Sequence, residues 1–227
     1  MLKVLMYHYV HDEIEHPMCV YEKEFFKQIQ YLKSEGYHFV TLKELHELEN
    51  NQGKYDKSVM ITFDDGYYNT LEKAMPILNK FEAKAVMSIC SSYIKAETCP
   101  KETIHLNQHF AVVEEIEKLW LANGHEVAAH TYSHPKLTRI DQSEYSLEIM
   151  KDKEILESEF GFPFEAFFYP FGSYNDTVEC MIRKYYRFAF LTDSGNAFSS
   201  ENHYRIHRIQ VRPEWNIEDF KRKLSME

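Results

Sequence analysis

Two adjacent carboxylates, Asp64 and Asp65, follow the apolar run Val59–Phe63, which only Thr62 interrupts, and precede Gly66. Carboxylates side by side at the end of a buried strand repel each other and lose hydration, so they persist only where a cation or hydrogen-bond donors compensate. A metal ion would do so by taking one as a ligand and leaving the other as a base; a pair of aspartates capping the next helix is the plainer alternative. A second polar cluster, His130-Thr131-Tyr132-Ser133-His134-Pro135, ends the run Val127–Ala129. Histidines four apart can face one centre from a helical turn or from a folded loop. Two of them with one carboxylate and open positions suit catalytic zinc or a mononuclear iron or nickel-like site. A third cluster, Phe168-Tyr169-Pro170-Phe171-Gly172, offers few polar side chains. Its backbone N–H groups, that of Phe171 above all, could donate to an anion, or it is a Pro-Gly turn and no more. Cys90, Cys99, His105 and His109 could in principle form a second, structural zinc site, but their spacings match no zinc template and favour a solvated insert. His11, His16, His38, His46, His125 and His203 receive no role.

These clusters require a scaffold that brings distant strand ends together. Strand-like and helix-like segments alternate along the chain. Leu2–Tyr7, Phe39-Val40, Val59–Phe63, Ala85–Ile89, Val127–His130, Ala166–Tyr169, Phe188–Leu191 and Ile206–Val211 read as strands. Between them, Phe25, Ile29 and Leu32 recur at helical spacing before Gly36, and a short helix covers Leu42–Leu48. A helix from Thr70 to Phe81 contains Pro76, which should kink or divide it. Val112, Ile116, Leu119 and Trp120 define a helix face ending at Gly124, and Ile149, Leu156 and Phe160 define another ending at Gly161. Asn175 is placed to cap a helix bearing Val178, Met181, Ile182 and Tyr185, and Ile217–Leu224 is a last helix. Residues 91–110 read as a long loop or insert. Repeated β-then-α order predicts a parallel sheet, open or closed into a barrel, with its polar clusters at the C-terminal strand ends where such folds gather catalytic groups.

The 227 residues suit one domain, and no linker or internal repeat divides them. Lysine plus arginine total 26 against 36 aspartates and glutamates, a net charge of −10 that argues against nucleic acid or an anionic membrane as partner. Aromatics make up 15%, enough for sugar stacking as well as a bulky core. No apolar run approaches the ~18 residues of a membrane span. The opening Met1–His8 is too short and polar for a signal peptide, and the four cysteines have no disulfide-framework spacing. A reduced, cytoplasmic protein without membrane insertion is the expectation.

Thr62-Phe63-Asp64-Asp65-Gly66, His130-Thr131-Tyr132-Ser133-His134-Pro135 and Tyr169-Pro170-Phe171-Gly172 come in the order and approximate spacing of the polysaccharide deacetylases, the NodB-homology or carbohydrate esterase 4 family, which this chain resembles. Phe81–Ile89 and Gly124–Val127 look like segments flanking those motifs. Met6-Tyr7-His8, Phe25–Leu32 and Gly36-Tyr37 look like the start of the branch acting on poly-N-acetylglucosamine. The resemblance implies an α/β fold, a distorted parallel (β/α) barrel of fewer than eight units in a single domain spanning residues 1–227. It implies one divalent metal, zinc first with cobalt, nickel or iron as alternatives, held by Asp65, His130 and His134. It implies Asp64 as general base, and an oxyanion held by the metal and the Phe171 N–H, with Tyr169 and Arg208 on the substrate side. The implied reaction removes the N-acetyl group of an amino sugar or polysaccharide as acetate.

The chain also departs from the family pattern. Many relatives carry an arginine where Phe168 stands here, and Arg208 could replace it as the group that orients Asp64, or form a salt bridge on the barrel exterior. The family's Asp-x-x-Asp-Trp element is not visible; Leu191-Thr192-Asp193-Ser194-Gly195 is at best a remnant. The late Leu-x-His motif is imperfect, since Arg205 and Ile206 precede His207. The general acid is therefore assigned to His8, as in the poly-N-acetylglucosamine branch. Neighbouring strand residues point to opposite faces, so an inward Arg208 sends His207 outward. The competing readings are a C–N hydrolase acting on a non-sugar amide, an iron protein using the same Asp and two His, and a silent carbohydrate-binding module.

Overall fold

A computed structural model describes residues 2–13, 16–49, 57–95, 109–195, 197 and 202–226. The longest strand pairing in the sheet joins β1 (Leu2–Tyr7) and β5 (Ser58–Phe63), parallel from Leu2↔Ser58 to Tyr7↔Phe63. Every residue of β5 is buried, as an unbroken apolar run covered on both faces demands. Beyond β5 come β6 (Ala85–Ile89), β7 (Glu126–Ala129), β8 (Ala166–Phe168) and β9 (Phe188–Phe190), all parallel. β4 (His38–Phe39) lies beside the first two residues of β5, below the point where β6 joins it. On the other flank β10 (Ile209–Gln210) pairs with β1. Just before β10, Ile206 bridges Phe190 of β9. One short stretch therefore joins the two edges of the sheet: Ile206 accepts from the N–H of Leu191 at 2.8 Å, and Val211 donates to the carbonyl of Met6 at 3.0 Å. The result is a curled parallel sheet with helices outside it, the incomplete barrel expected from the sequence.

Strand periodicity sorts the side chains into two layers. Val4, Met60, Val86, Ala128, Phe168 and Phe190 fill the inside of the curl. Their neighbours Leu5, Ile61, Met87, Val127, Phe167 and Ala189 face outward into the helix layer. There α1 (Glu22–Ser34) contributes Phe25, Ile29 and Leu32, each fully buried and each stabilising by roughly 1.5–3 kcal/mol. α2 (Leu42–Glu49) follows β4, and its first N–H groups are received by the carboxylate of Glu126 from the start of β7.

Pro76 divides its helix as expected. A π-helical turn, Thr70–Ala74, precedes α3 (Met75–Lys80), and the N–H of Met75 reaches back to the carbonyl of Thr70. Proline has no N–H for the preceding turn, so the hydrogen-bond ladder widens there. α4 (Val113–Glu115) runs through a second π turn, Ile116–Trp120, and the helical segment ends at Gly124, whose φ of +76° suits a residue without Cβ. A third π turn, Ser146–Lys151, leads into α5 (Asp152–Phe160). Asn175 caps α6 (Asp176–Tyr185) by accepting from the N–H of Val178 at 2.9 Å, and α7 (Ile217–Met226) closes the chain. The pair β2 (Tyr9–Val10) and β3 (Cys19–Val20) was not legible in the sequence, since two residues carry no periodicity. No helix among the described residues is long and apolar enough to cross a membrane.

Candidate active site

The inward row of β5 passes from Met60 through Thr62 to Asp64, so the first carboxylate of the pair stands at the C-terminal mouth of the curl, 2% exposed. Arg208, fully buried just before β10, meets it with both ends of its guanidinium: Nη1 donates to Oδ1 and Nη2 to Oδ2, each at 2.7 Å. Such a fork fits a carboxylate in both position and charge. Arg208 is itself fixed, since Nε donates to the Leu191 carbonyl at 2.6 Å, Nη1 to the Thr62 hydroxyl at 3.1 Å, and its Cζ lies over the Phe168 ring, 4.6 Å from the centroid. Phe168 thus supplies a ring on which an arginine from the segment before β10 rests. Ser88, on the inward row of β6, donates to Asp64 Oδ1 at 3.1 Å. Burial opposes the charge of Asp64, but the Arg208 guanidinium outweighs it and holds the carboxyl down at about 2.

Asp65 turns the other way. Its φ of +74° rotates it out of the strand path, and Oδ1 faces His130 Nε2 at 3.3 Å and His134 Nε2 at 3.1 Å. The two imidazole Nε2 atoms are themselves 3.1 Å apart. His130 Nδ1 lies 2.8 Å from the Phe168 carbonyl and must carry the proton of that bond, which leaves Nε2 as a lone pair aimed at the cluster. Three electron-pair donors converge, and Asp65 Oδ1 is buried without a hydrogen-bond partner. One proton can bridge one pair of them; a single cation satisfies all three. Separations of 3.1–3.3 Å are those of donors about 2.1 Å from a shared zinc-like ion. The donor set therefore fits a divalent metal. Side-chain exposures of 14% for Asp65 and 22% for His134, against 2% for His130, leave one side of the cluster open to solvent.

The histidine pair is held in a folded loop, not in a helical turn. Thr131 and His134 have φ of +70° and +63°, and the N–H of His134 donates to the Thr131 hydroxyl at 2.9 Å. Of the six non-glycine residues with positive φ among those described, four are Asp65, Thr131, His134 and Phe171. Such conformations cost roughly 1–3 kcal/mol each and persist where the surroundings enforce them.

His8 follows β1 and has the parity of the inward residues Leu2 and Val4. Its ring makes no hydrogen bond to any described residue, and its charge is felt by Asp65, Asp64, Arg208 and His130; burial lowers its pKa while the two aspartates oppose this. His207 lies elsewhere, its Nδ1 at 3.4 Å from Asp193 Oδ2 and its ring against Gly195, where a Cβ would come within 2.9 Å. Phe171 is 56% exposed, with its ring 4.7 Å from that of His134 and Lys136 Nζ 4.9 Å above it. Tyr169 is a correction. Strand parity sends its side chain into the outer core layer with Phe167, fully buried, so it does not reach the substrate side. Cys90 donates to the His130 carbonyl at 3.2 Å and His109 stacks on Tyr68 at 4.4 Å, while Cys99 and His105 lie outside the described residues. The sequence reading missed Ser88 and Glu148, polar residues inside otherwise ordinary strand and helix patterns that carried no local signal.

Comparison with known proteins places this geometry. Residues 51–188 match the model of the polysaccharide deacetylase family. The poly-beta-1,6-N-acetyl-D-glucosamine N-deacetylase of Staphylococcus epidermidis is 26% identical over 202 residues, covering 85% of this chain and 68% of that one. The Streptococcus pyogenes deacetylase PplD, solved in complex with acetate, superposes with a TM-score of 0.87 at 25% identity over 98% of this chain and 97% of that one. BC0361, a polysaccharide deacetylase from Bacillus cereus, does so with a TM-score of 0.82 at 25% identity over 98% of this chain and 68% of that one. With the family model covering more than half of its length and the fold shared throughout, the chain belongs to the polysaccharide deacetylase family.

Proposed function

We propose that this protein is a metal-dependent N-deacetylase that hydrolyses the acetamide of an N-acetylated amino sugar within an oligosaccharide or polysaccharide. The observation that carries the reading is the separation of roles between neighbouring carboxylates: Asp65 joins His130 and His134 in a donor set suited to a cation, while Asp64 is withheld from it by Arg208. The family, a relative named for poly-N-acetylglucosamine deacetylation and a structural neighbour solved in complex with acetate support this substrate class.

A divalent ion held by Asp65, His130 and His134, with zinc first and cobalt, nickel or iron as alternatives, would supply Lewis acidity that acidifies water and polarises the acetamide carbonyl. Asp64, ionised across the neutral range, accepts the proton of the attacking water as the new C–O bond forms. Arg208 fixes both oxygens of that carboxylate, so the proton is received in one orientation. The Phe171 N–H donates to the oxyanion that develops. His8 delivers a proton to the sugar nitrogen as the C–N bond breaks, and the products are acetate and the free amine. The test is acetate release from N-acetylglucosamine oligomers by protein stripped of metal and reloaded with each ion in turn. Release that depends on the added ion is expected. Hydrolysis of non-sugar amides with none from the oligomers would move the activity to another C–N substrate, and equal release by the stripped protein would remove the metal from the reaction.

A further inference from the structure

The loop that carries His134 rests on a buried carboxylate that the proposed chemistry does not use. Glu148 lies in the π turn Ser146–Lys151 and is 7% exposed. Its two oxygens receive two donors from one residue: Oε2 takes the N–H of Ser133 at 2.9 Å and Oε1 its hydroxyl at 2.7 Å. The Glu148 carbonyl takes the N–H of Tyr132 at 3.1 Å. From the opposite side the N–H of Ser92 donates to the Tyr132 carbonyl at 3.0 Å, joined by the Ser92 hydroxyl. Residues 132 and 133 are thus pinned between Thr131 and His134, the two residues of the loop with positive φ. A β-branched threonine and a histidine hold that conformation only when their surroundings enforce it. Among the described residues no lysine or arginine pairs with Glu148, so its side chain is committed to the histidine loop. A π turn, which widens the helix by one residue, is a recurrent device at functional sites.

Building on the metal-site reading, we propose that Glu148 is a positioning residue for the metal: it fixes Ser133 and thereby holds His134 where its Nε2 meets Asp65 and His130. His130 does not depend on this brace, because its ring is tied to the Phe168 carbonyl from β8. Loss of the brace lets the loop relax toward ordinary φ values and reduces the donor set from three to two.

The experiment is a titration of metal-depleted protein with cobalt(II), read by the visible ligand-field spectrum. Glu148→Gln, whose neutral amide accepts from only one of the two Ser133 donors and loses the charge that strengthens both bonds, raises the cobalt Kd by about 2–10-fold and changes the spectrum. Ser133→Ala leaves the Glu148 charge and the backbone bond in place and raises Kd by about 2–10-fold, the weight of one hydrogen bond. In a His134→Ala background Glu148→Gln adds less than about 2-fold, because the ligand it positions is gone. A role confined to fold stability would lower the unfolding temperature and leave the Kd and spectrum of the folded protein at parental values. Parental Kd and spectrum in both variants overturn the proposal, as does an undiminished effect in the His134→Ala background. If Glu148→Gln fails to fold, Ser133→Ala and its cycle with His134→Ala decide alone. A parent protein that binds no cobalt sinks the metal-site reading itself, whereas a parent that binds while the variants match it sinks only the role of Glu148.

Discussion

His125 and His130 flank the same four-residue strand, β7, and are both buried, yet the two ends of the barrel use them in opposite ways. At the N-terminal end, His125 stacks on Trp120 at 4.2 Å, accepts the N–H of Ala85 on Nδ1 at 3.3 Å and faces Asn79 Oδ1 with Nε2 at 3.1 Å. Both nitrogens have neutral protein partners, and burial, aided by the charge of Lys84, lowers its pKa to about 4. At the C-terminal end, His130 spends Nδ1 on the Phe168 carbonyl and points Nε2 at a carboxylate and another imidazole, with no protein group to complete the arrangement. The carboxylates divide in the same way. Glu126 at the lower end is occupied by helix N–H groups, whereas Asp65 at the upper end keeps a buried oxygen without a hydrogen bond. Satisfaction of the polar atoms, more than burial or residue type, separates a structural histidine from one placed for chemistry.

The largest expected effect breaks the upper end outright. His130→Ala or His134→Ala lowers metal content and acetate release together, measured by elemental analysis beside an acetate assay; full metal occupancy in the double variant would dissolve the ligand assignment. Next comes Asp64→Asn, which keeps the shape but cannot take the proton. Turnover falls by ~10²–10⁴ while the metal stays bound; loss of the metal as well would put Asp64 among the ligands. His8→Ala costs a comparable or smaller factor, ~10²–10³, and removes the alkaline fall of the pH–rate profile. His207→Ala leaves that limb in place, and the reverse outcome would return the acid to the late strand.

The smallest effect belongs to the lower end. His125→Ala lowers the unfolding temperature without changing metal content or the activity of each folded molecule. In the parent, an unfolded His125 takes up its proton near pH ~6.5 and the folded one only near 4. The stability it contributes is therefore complete above pH ~6.5 and lost as pH falls toward 4, on the order of 3 kcal/mol, which urea midpoints across that range would register. A His125→Phe variant with the same pH slope would show that some other group carries it.

Much of this was legible along the chain. The apolar runs marked the long strands, Gly36, Gly124 and Gly161 marked helix ends, and Asn175 marked a cap, because each depends on neighbours a few residues away. The three motifs and their order identified the family and nominated Asp64, Asp65, His130 and His134. Strand parity even tied the fates of Arg208 and His207 together, since neighbouring residues of an extended chain cannot share a face. The same rule, applied to β8, would have kept Tyr169 out of the substrate side, given which of Phe167 and Phe168 points inward.

That last condition marks where the sequence by itself stops. Local pattern fixes that side chains alternate, but curling the sheet decides which set is enclosed, and only the closure through Ile206–Val211 brings Arg208 against Asp64 across 144 residues of chain. His125 and His130 flank one short strand, and the direction of that strand within the barrel places one in a filled polar environment and the other in an open one. Glu148 reads as one more acidic residue on a helix until the fold lays that helix beneath the loop of Ser133. Composition and spacing determined the family and the chemical vocabulary of the site. Tertiary structure decided which polar atoms were satisfied, because satisfaction depends on partners that only the folded chain brings within hydrogen-bond reach.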